Sequence, residues 1–529
     1  MEAERTLPPT RSSKTTSCRD KDLESLARGV KRQMEESLPP NPSKVARGHP
    51  SAPGTLAMSY PDGGLRITRT PGRREAKNCV GLGDLIDKDH LVSACTFAFY
   101  IADEELFPHL PISTGTKDAI PIYLGRDANN DPLLQAAATR AHTPLPEGKL
   151  TKKALDTLRP HLDALHKTTH QNLHSFYAWA PGSAHSKLML LVYPTFLRVV
   201  ITSCNMMDID TILGDNHWYI HDVPQRTELA TRPPAGFEGT LLAHLEALGT
   251  PAAFLDLVRG RYDYGGLKVY LVTSHPGTFA GPGKAEQYGL LRLRKVVKHL
   301  GLGLGEGDEE SENGNDNEKV RLDICTASVG NISARWLTTF YQCALGQQQI
   351  GVVESPKDQE GDENELAEKM RLFYPSVDDV RTAPADSQDA ASNIGCHLRP
   401  WDKAPQNKLI MAYDPRREPV EDEIPPHYIY IGSANLSQSA WGGLADDKKK
   451  GGNPATCDTK LTGVSNFECG VVIPGRVIEG LLEPGTEAWE EGVLPFKRTA
   501  GAYDLEKGDR PWNDPRWVKG YREDYDAPL

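Results

Sequence analysis

The stretch SAHSKLMLLVYPTFLRVVITSCNM (residues 183–206) decides how this chain is read. An apolar run begins just after His185 and Lys187, turns at Tyr193-Pro194-Thr195 and returns along a second apolar run to Asn205. Residues two apart on a strand share a face. His185 and Lys187 are therefore expected to project together into one pocket, which Asn205 closes from the end of the neighbouring strand. An imidazole able to act as nucleophile, a fixed cation and an amide suit a phosphate group.

A second stretch repeats this grammar. Gln406-Asn407-Lys408 opens a strand (408–413, KLIMAY), a longer turn follows, and a second strand (428–431, YIYI) runs into Gly432-Ser433-Ala434-Asn435. Lys187 and Lys408 each begin a strand, and Asn205 and Asn435 each end its neighbour. That is a pseudo-repeat of one hairpin, able to bring two similar half-sites together across a domain interface. Taken singly, His185 reads as a strand-edge histidine and the lysines as surface residues. The paired spacing reverses that reading.

Composition sets the outer limits. A chain of 529 residues has room for two or more domains with substantial cores. No apolar run approaches the ~20 residues that span a membrane, and the opening MEAERTLPPTRSSKTT lacks the apolar core of a signal peptide. Nine cysteines without a C-x-x-C pair read as reduced thiols in an intracellular protein and argue against zinc. The net charge of −12 does not describe a basic nucleic-acid coat, but the acids concentrate at 306–318 and 354–365, so a locally basic groove remains compatible.

Residues 1–75 mix Pro, Ser, Gly, Lys and Arg and are expected to form a disordered tail, with Arg28, Lys31, Arg32, Lys44 and Arg47 as a loose nuclear-targeting cluster. Folded structure is expected from about Cys79, in a domain over 76–250 and another over 251–529. Strands are expected at 119–124, 267–273, 320–326 and 467–473, and helices at 149–165, 237–258, 290–300 and around 336–345. Strands alternating with helices imply α/β layers. His166, His170 and His174 recur at helical spacing, but no acid or cysteine completes a ligand set, so they read as a polar helix end.

The two half-sites, together with VYLVTSHPGTFAG (269–281), YGLLRLRKVV (288–297), CTASVGNISARWL (325–337), GSANLSQSAWG (432–442) and the ending YDL…DRPW (503–512), resemble the phospholipase D superfamily. Within it the pattern is similar to the tyrosyl-DNA phosphodiesterase 1 family, from about Cys79 onward. The resemblance implies two α/β/α sandwich domains with half-sites related by a pseudo-twofold axis. It implies a nuclear DNA-repair phosphodiesterase that needs neither metal nor other cofactor, and acts as a monomer away from membranes. Its partners would be DNA 3′ ends, single- or double-stranded, that carry a tyrosyl peptide. His185 would attack phosphorus and become a covalent phosphohistidine. Lys187, Lys408, Asn205 and Asn435 would hold the phosphate oxygens, Glu468 would orient the imidazole, and Ser328 and Ser437 fall where DNA phosphates are bound.

The chain departs from the family at one catalytic position. The second half-site of the family also begins with a histidine, which protonates the leaving group and later activates water. Here that position holds Gln406, which exchanges no proton near neutral pH; His397 is the nearest candidate in sequence to supply the proton instead, and becomes the matching histidine itself if the segment 387–408 aligns differently, although His397-Leu-Arg lacks the lysine of H-x-K. Asn216 falls near a position where the family carries a Gln supporting that second histidine. A general acid contributes roughly 10²–10⁴ in rate. A phenol leaves tolerably well without one, so the second step is expected to suffer more than the first. A DNA-end-binding protein with weakened catalysis is the alternative. A lipid-directed phospholipase is a third reading, disfavoured because no membrane-binding amphipathic segment is evident.

Overall fold

Strands buried on both faces build the centre of this molecule. The computed structural model describes residues 56–73, 76–115, 119–302, 320–347, 350, 369–382, 395–396, 409–413, 425–446, 459–486, 488–494 and 512. Gln406, Lys408, His397, the two acidic stretches and the basic cluster of the tail lie outside these residues.

Eight strands form the first sheet: β1 (Gly64–Thr68), β2 (Cys79–Val80), β3 (Ser93–Ala98), β4 (Ile122–Asp127), β5 (Leu173–Ala178), β6 (Leu188–Val192), β7 (Phe196–Thr202) and β8 (His217–Pro224). Their order is β2-β1-β8-β7-β6-β3-β4-β5. The hairpin β6–β7 lies at the centre, fully buried, which is why it reads as two continuous apolar runs. Strands β3, β4 and β5 pair in parallel, and the helix Lys152–Thr169 makes the crossover from β4 to β5.

Later strands are β9 (Tyr270–Ser274), β10 (Gly277–Phe279), β11 (Arg321–Cys325), β12 (Ser328–Val329), β13 (Met370–Phe373), β14 (Gly395–Cys396), β15 (Leu409–Tyr413), β16 (Tyr428–Gly432), β17 (Gly443–Asp446), β18 (Thr459–Val464) and β19 (Glu468–Pro474). Six of them form the second sheet, ordered β13-β11-β15-β16-β19-β9. Read from its other edge, this order reproduces β1-β8-β7-β6-β3-β4 with every pairing of the same sense: parallel for β3–β4 and β11–β13, antiparallel for the rest. The pseudo-repeat seen in two hairpins thus extends over six strands.

Alternation divides each strand between two cores. Leu188, Leu190, Val199 and Ile201 of the first sheet share one cluster with Ile429, Ile431, Val471 and Ile473 of the second, together with Leu241, Leu245 and Phe254 from helices. The intervening residues Met189, Leu191 and Val200 face a separate core, as do Tyr428, Tyr430 and Val472. The inner faces of the two sheets therefore meet in a common core. The described residues belong to a single compact unit, although each sheet comes from its own half of the chain.

Three expectations need correction. Folded structure starts at β1, inside the segment read as a tail, because Leu65 and Ile67 are buried in a strand added beside β8. Its brevity and its Gly, Pro and Arg neighbours hid it. The helix expected over 237–258 is two helices, Gly236–Leu248 and Ala252–Val258. Gly249 adopts a left-handed φ of 83° at the first helix end, and Pro251 cannot continue it. The three histidines share no helix face, since the helix stops at Thr169: His166 is buried against Asp131 with Nε2–Oδ2 2.9 Å, and His174 lies in β5.

Candidate active site

Both half-sites are built at the same strand ends. Leu188 of β6 opposes Ile201 of β7, and Leu409 of β15 opposes Ile431 of β16. Thr202 opposes Trp218, and Gly432 opposes Gly470. This register makes Ser203 equivalent to Ser433, Asn205 to Asn435 and Asn216 to Glu468. Isolated bridges agree, with Ile101 on Met206 in one copy and Val329 on Leu436 in the other.

The segment before β6 is held by the other sheet. Ala184 forms a parallel bridge to Phe467, His185 N donates to Phe467 O at 2.9 Å, and Phe467 N donates to Ser183 O at 2.9 Å. Gly182 permits this approach, since a Cβ there would lie 2.1 Å from Asn466 Oδ1 and 2.8 Å from the Ser465 carbonyl. The consequence is chemical. Glu468, first residue of β19, comes to the His185 ring with Oε2 3.1 Å from Nδ1.

Glu468 is 1% exposed. Burial raises its pKa, but the His185 charge, the hydrogen bond from His185, the Lys187 charge and the Ser433 hydroxyl together outweigh that and hold the carboxyl below its usual range. Ser433 Oγ donates to Oε2, Asn466 Nδ2 donates to Oε1 at 3.0 Å, and Cys469 N donates to Ser433 Oγ at 3.0 Å. An ionised carboxylate only accepts, so His185 Nδ1 carries the proton, and in the neutral ring Nε2 is the nitrogen with the lone pair. That is the tautomer a nucleophilic imidazole requires.

Lys187 is not a surface lysine. It is fully buried, its Nζ donates to the His185 carbonyl at 2.8 Å, and it lies 5.8 Å from the centre of the Phe99 ring. The same ring lies 5.3 Å from that of His185. A buried ammonium is costly unless compensated; here a carbonyl, an aromatic face and the Glu468 charge compensate it.

The two asparagines are fixed in the same sense. Asn205 Oδ1 accepts from Tyr100 N at 3.3 Å, while its Nδ2 and its backbone N donate to Asp210 Oδ2 at 2.6 and 2.9 Å. Asn435 Oδ1 accepts from Thr326 Oγ1 at 3.3 Å. With both carbonyls engaged, the NH₂ ends are the parts that can donate to a phosphate oxygen. The loops bearing Ser328 and Ser437 also meet, as Gly330 N donates to Leu436 O at 3.0 Å. Ser437 Oγ accepts from Ala440 N at 3.2 Å, capping the helix Gln438–Trp441.

The structure thus brings together His185, Lys187, Glu468 and their supports Ser433, Asn466 and Phe99. The last three escaped the sequence reading. Ser433 carried the one available signal, a place two residues before Asn435 that matches Ser203 before Asn205.

A six-strand repeat, facing hairpins and a carboxylate-held histidine beside a buried lysine define the phospholipase D-like class. Within that class the match is specific: the family model described as tyrosyl-DNA phosphodiesterase covers residues 65–419 and 402–511. The chain belongs to the tyrosyl-DNA phosphodiesterase family. It is 25% identical over 288 residues to tyrosyl-DNA phosphodiesterase 1 of Arabidopsis thaliana, across 50% of this chain and 44% of that protein. The matched stretch therefore spans less than half the length of that relative. The fold matches crystal structures of yeast tyrosyl-DNA phosphodiesterase (TM-score 0.54, 15% identity, 85% of this chain and 100% of that chain). A point variant of the yeast protein matches equally well (TM-score 0.55, 15% identity, 85% and 100%).

Proposed function

We propose that this chain cleaves phosphodiesters at DNA 3′ ends blocked by tyrosyl peptides or related adducts, through a phosphohistidine on His185. One observation carries the reading: Glu468, from the opposite sheet, holds Nδ1 of His185 and leaves Nε2 as the lone-pair nitrogen. Attack by Nε2 forms the N–P bond as the bond to the tyrosyl oxygen breaks. Lys187, Asn205 and Asn435 support the charge that builds on the nonbridging oxygens, and Lys408 joins them by its place in the repeat. Tyrosine leaves as phenolate, with an ordinary pKa near ~10, so the first step proceeds without a strong acid.

Water must then release the DNA phosphate from His185. The family's proton-exchanging histidine is replaced by Gln406, so this second step is slow and the covalent adduct accumulates. In this reading the protein works in the nucleus as a monomer, on DNA rather than at a membrane, and its catalysis is impaired at release. Mass spectrometry after mixing the chain with a 3′-phosphotyrosyl oligonucleotide tests this. The expected result is one turnover of tyrosine release and a chain heavier by the oligonucleotide. Rapid multiple turnover without adduct would show that another group supplies the base. Binding without tyrosine release would favour a protein that marks DNA ends. Gln406→His should speed release by roughly 10²–10⁴.

A further inference from the structure

The residue between His185 and Lys187 turns its side chain away from the site. Ser186 is fully buried, with Oγ 2.9 Å from His244 Nε2, and His244 Nδ1 lies 2.9 Å from His275 Nε2. His244 comes from the helix Gly236–Leu248 and His275 from the turn after β9; His244 is fully buried and His275 is 8% exposed. Each link holds one proton, so the neutral chain has two arrangements: Ser186 donates toward His275, or His275 donates toward Ser186. Burial and the neighbouring His275 push His244 well below the ordinary histidine range, and burial pushes His275 down to about 4. The pair is therefore neutral at physiological pH.

The same two rings pack against Phe467, with centroids 6.3 Å away for His244 and 5.5 Å for His275. Phe467 is the residue whose backbone clamps His185. Among the described residues, the titratable and charged groups near the pair are Tyr288, 4.3 Å from the His275 ring, and Arg292, which donates to Leu271 O at 2.9 Å and reaches Thr240 Oγ1 at 3.5 Å. Beyond Phe467 stand His185, Lys187 and Glu468.

We infer that Ser186, His244 and His275 form a buried positioning relay that sets the His185 ring against Glu468. The peptide joining His185 to Ser186 carries the carbonyl that receives Lys187 Nζ at 2.8 Å. On one side it is pinned by the His185 N–H on Phe467, and on the other by Ser186 Oγ on His244. Without His275, His244 Nδ1 loses the partner that fixes the ring and its tautomer, the Ser186 anchor loosens, and imidazole and ammonium move with the freed peptide. The relay's kinetic consequence rests on the proposed phosphodiester cleavage; its structural consequence does not.

The test uses the full chain with 13C-labelled histidine rings, comparing wild type, His275→Ala and His275→Gln, whose amide can still reach His244. Loss of the relay in His275→Ala should shift the His185 ring signals and slow adduct formation by roughly 10- to 100-fold, with oligonucleotide affinity unchanged. His275→Gln should restore both. Unmoved His185 signals in His275→Ala would overturn the inference. So would equal losses in both variants in step with melting temperature, the mark of packing alone. If the wild type cleaves nothing, the cleavage reading fails by itself and the His185 ring signals still decide the relay.

Discussion

Glu468 and Asn216 occupy the same place in two copies of one six-strand repeat, and only one of them carries charge. Each follows the same design. A serine two residues before the strand-end asparagine of each copy, Ser433 before Asn435 or Ser203 before Asn205, donates to the side chain, with Ser203 Oγ 2.8 Å from Asn216 Oδ1. Glu468 then reaches across to His185. Asn216 instead turns its amide to the carbonyl of Asp210 at 3.1 Å. A carboxylate raises the basicity of an imidazole and fixes its tautomer, whereas an amide can only fill hydrogen bonds. The same backbone repeat thus supports an ionised group in one copy and a neutral one in the other.

The comparison can be broken most severely at its charged end. His185→Ala should abolish both adduct and tyrosine release, a loss of more than ~10⁴ in single-turnover rate. Survival of activity would move the nucleophile elsewhere.

Acid should discriminate next. Strand β8 carries His217 and His221, each held by burial at about 4, where the equivalent positions of β19 hold Cys469 and Ile473. A histidine whose folded pKa lies below its unfolded value of about 6.5 contributes stability that is present above that value and lost as pH falls toward the folded one. Each such histidine should cost up to ~1.4 kcal/mol per pH unit between about 6.5 and 4. Urea midpoints should therefore fall steeply across that window. Glu468 has the depressed-acid sign, stabilising above its unfolded value and failing as pH drops through its lowered one, so its share is lost last. A flat profile down to pH 5 would contradict the burial of these imidazoles.

Glu468→Gln makes the two copies alike, and adduct formation should slow by roughly 10²–10³ with oligonucleotide binding retained. Gly182→Ala attacks the junction between the sheets. Its new Cβ must displace Ser465 and Asn466, and a thermal melt should register a loss of about 1–3 kcal/mol. Asn216→Ala should be the mildest on activity, under about tenfold, because it removes a neutral support. A loss matching that of Glu468→Gln would show that the two copies are functionally equivalent after all.

Much of this molecule was legible in the chain. Both hairpins, the H-x-K segment and the two asparagines followed from apolar runs, turns and fixed spacings. Period-2 alternation was less visible, because the central strands are buried on both faces and read as unbroken apolar runs. The short strand β1 was missed because five residues among Gly, Pro and Arg carry little periodic signal. Phe99 looked like ordinary core and turned out to be the ring beside His185 and Lys187.

The sequence by itself determined which groups were available: a histidine and a lysine one residue apart, asparagines at two strand ends, and a glutamine at position 406. Only the tertiary structure decided that Glu468 meets His185, 283 positions away, that Lys187 is buried, and that Ser186 leads to two further histidines. Local pattern reports which face a side chain takes within its own strand. The bridge from Ala184 to Phe467 is made by backbone groups that every residue shares, so no spacing in the chain encodes it; the packing of two sheets on a common core does.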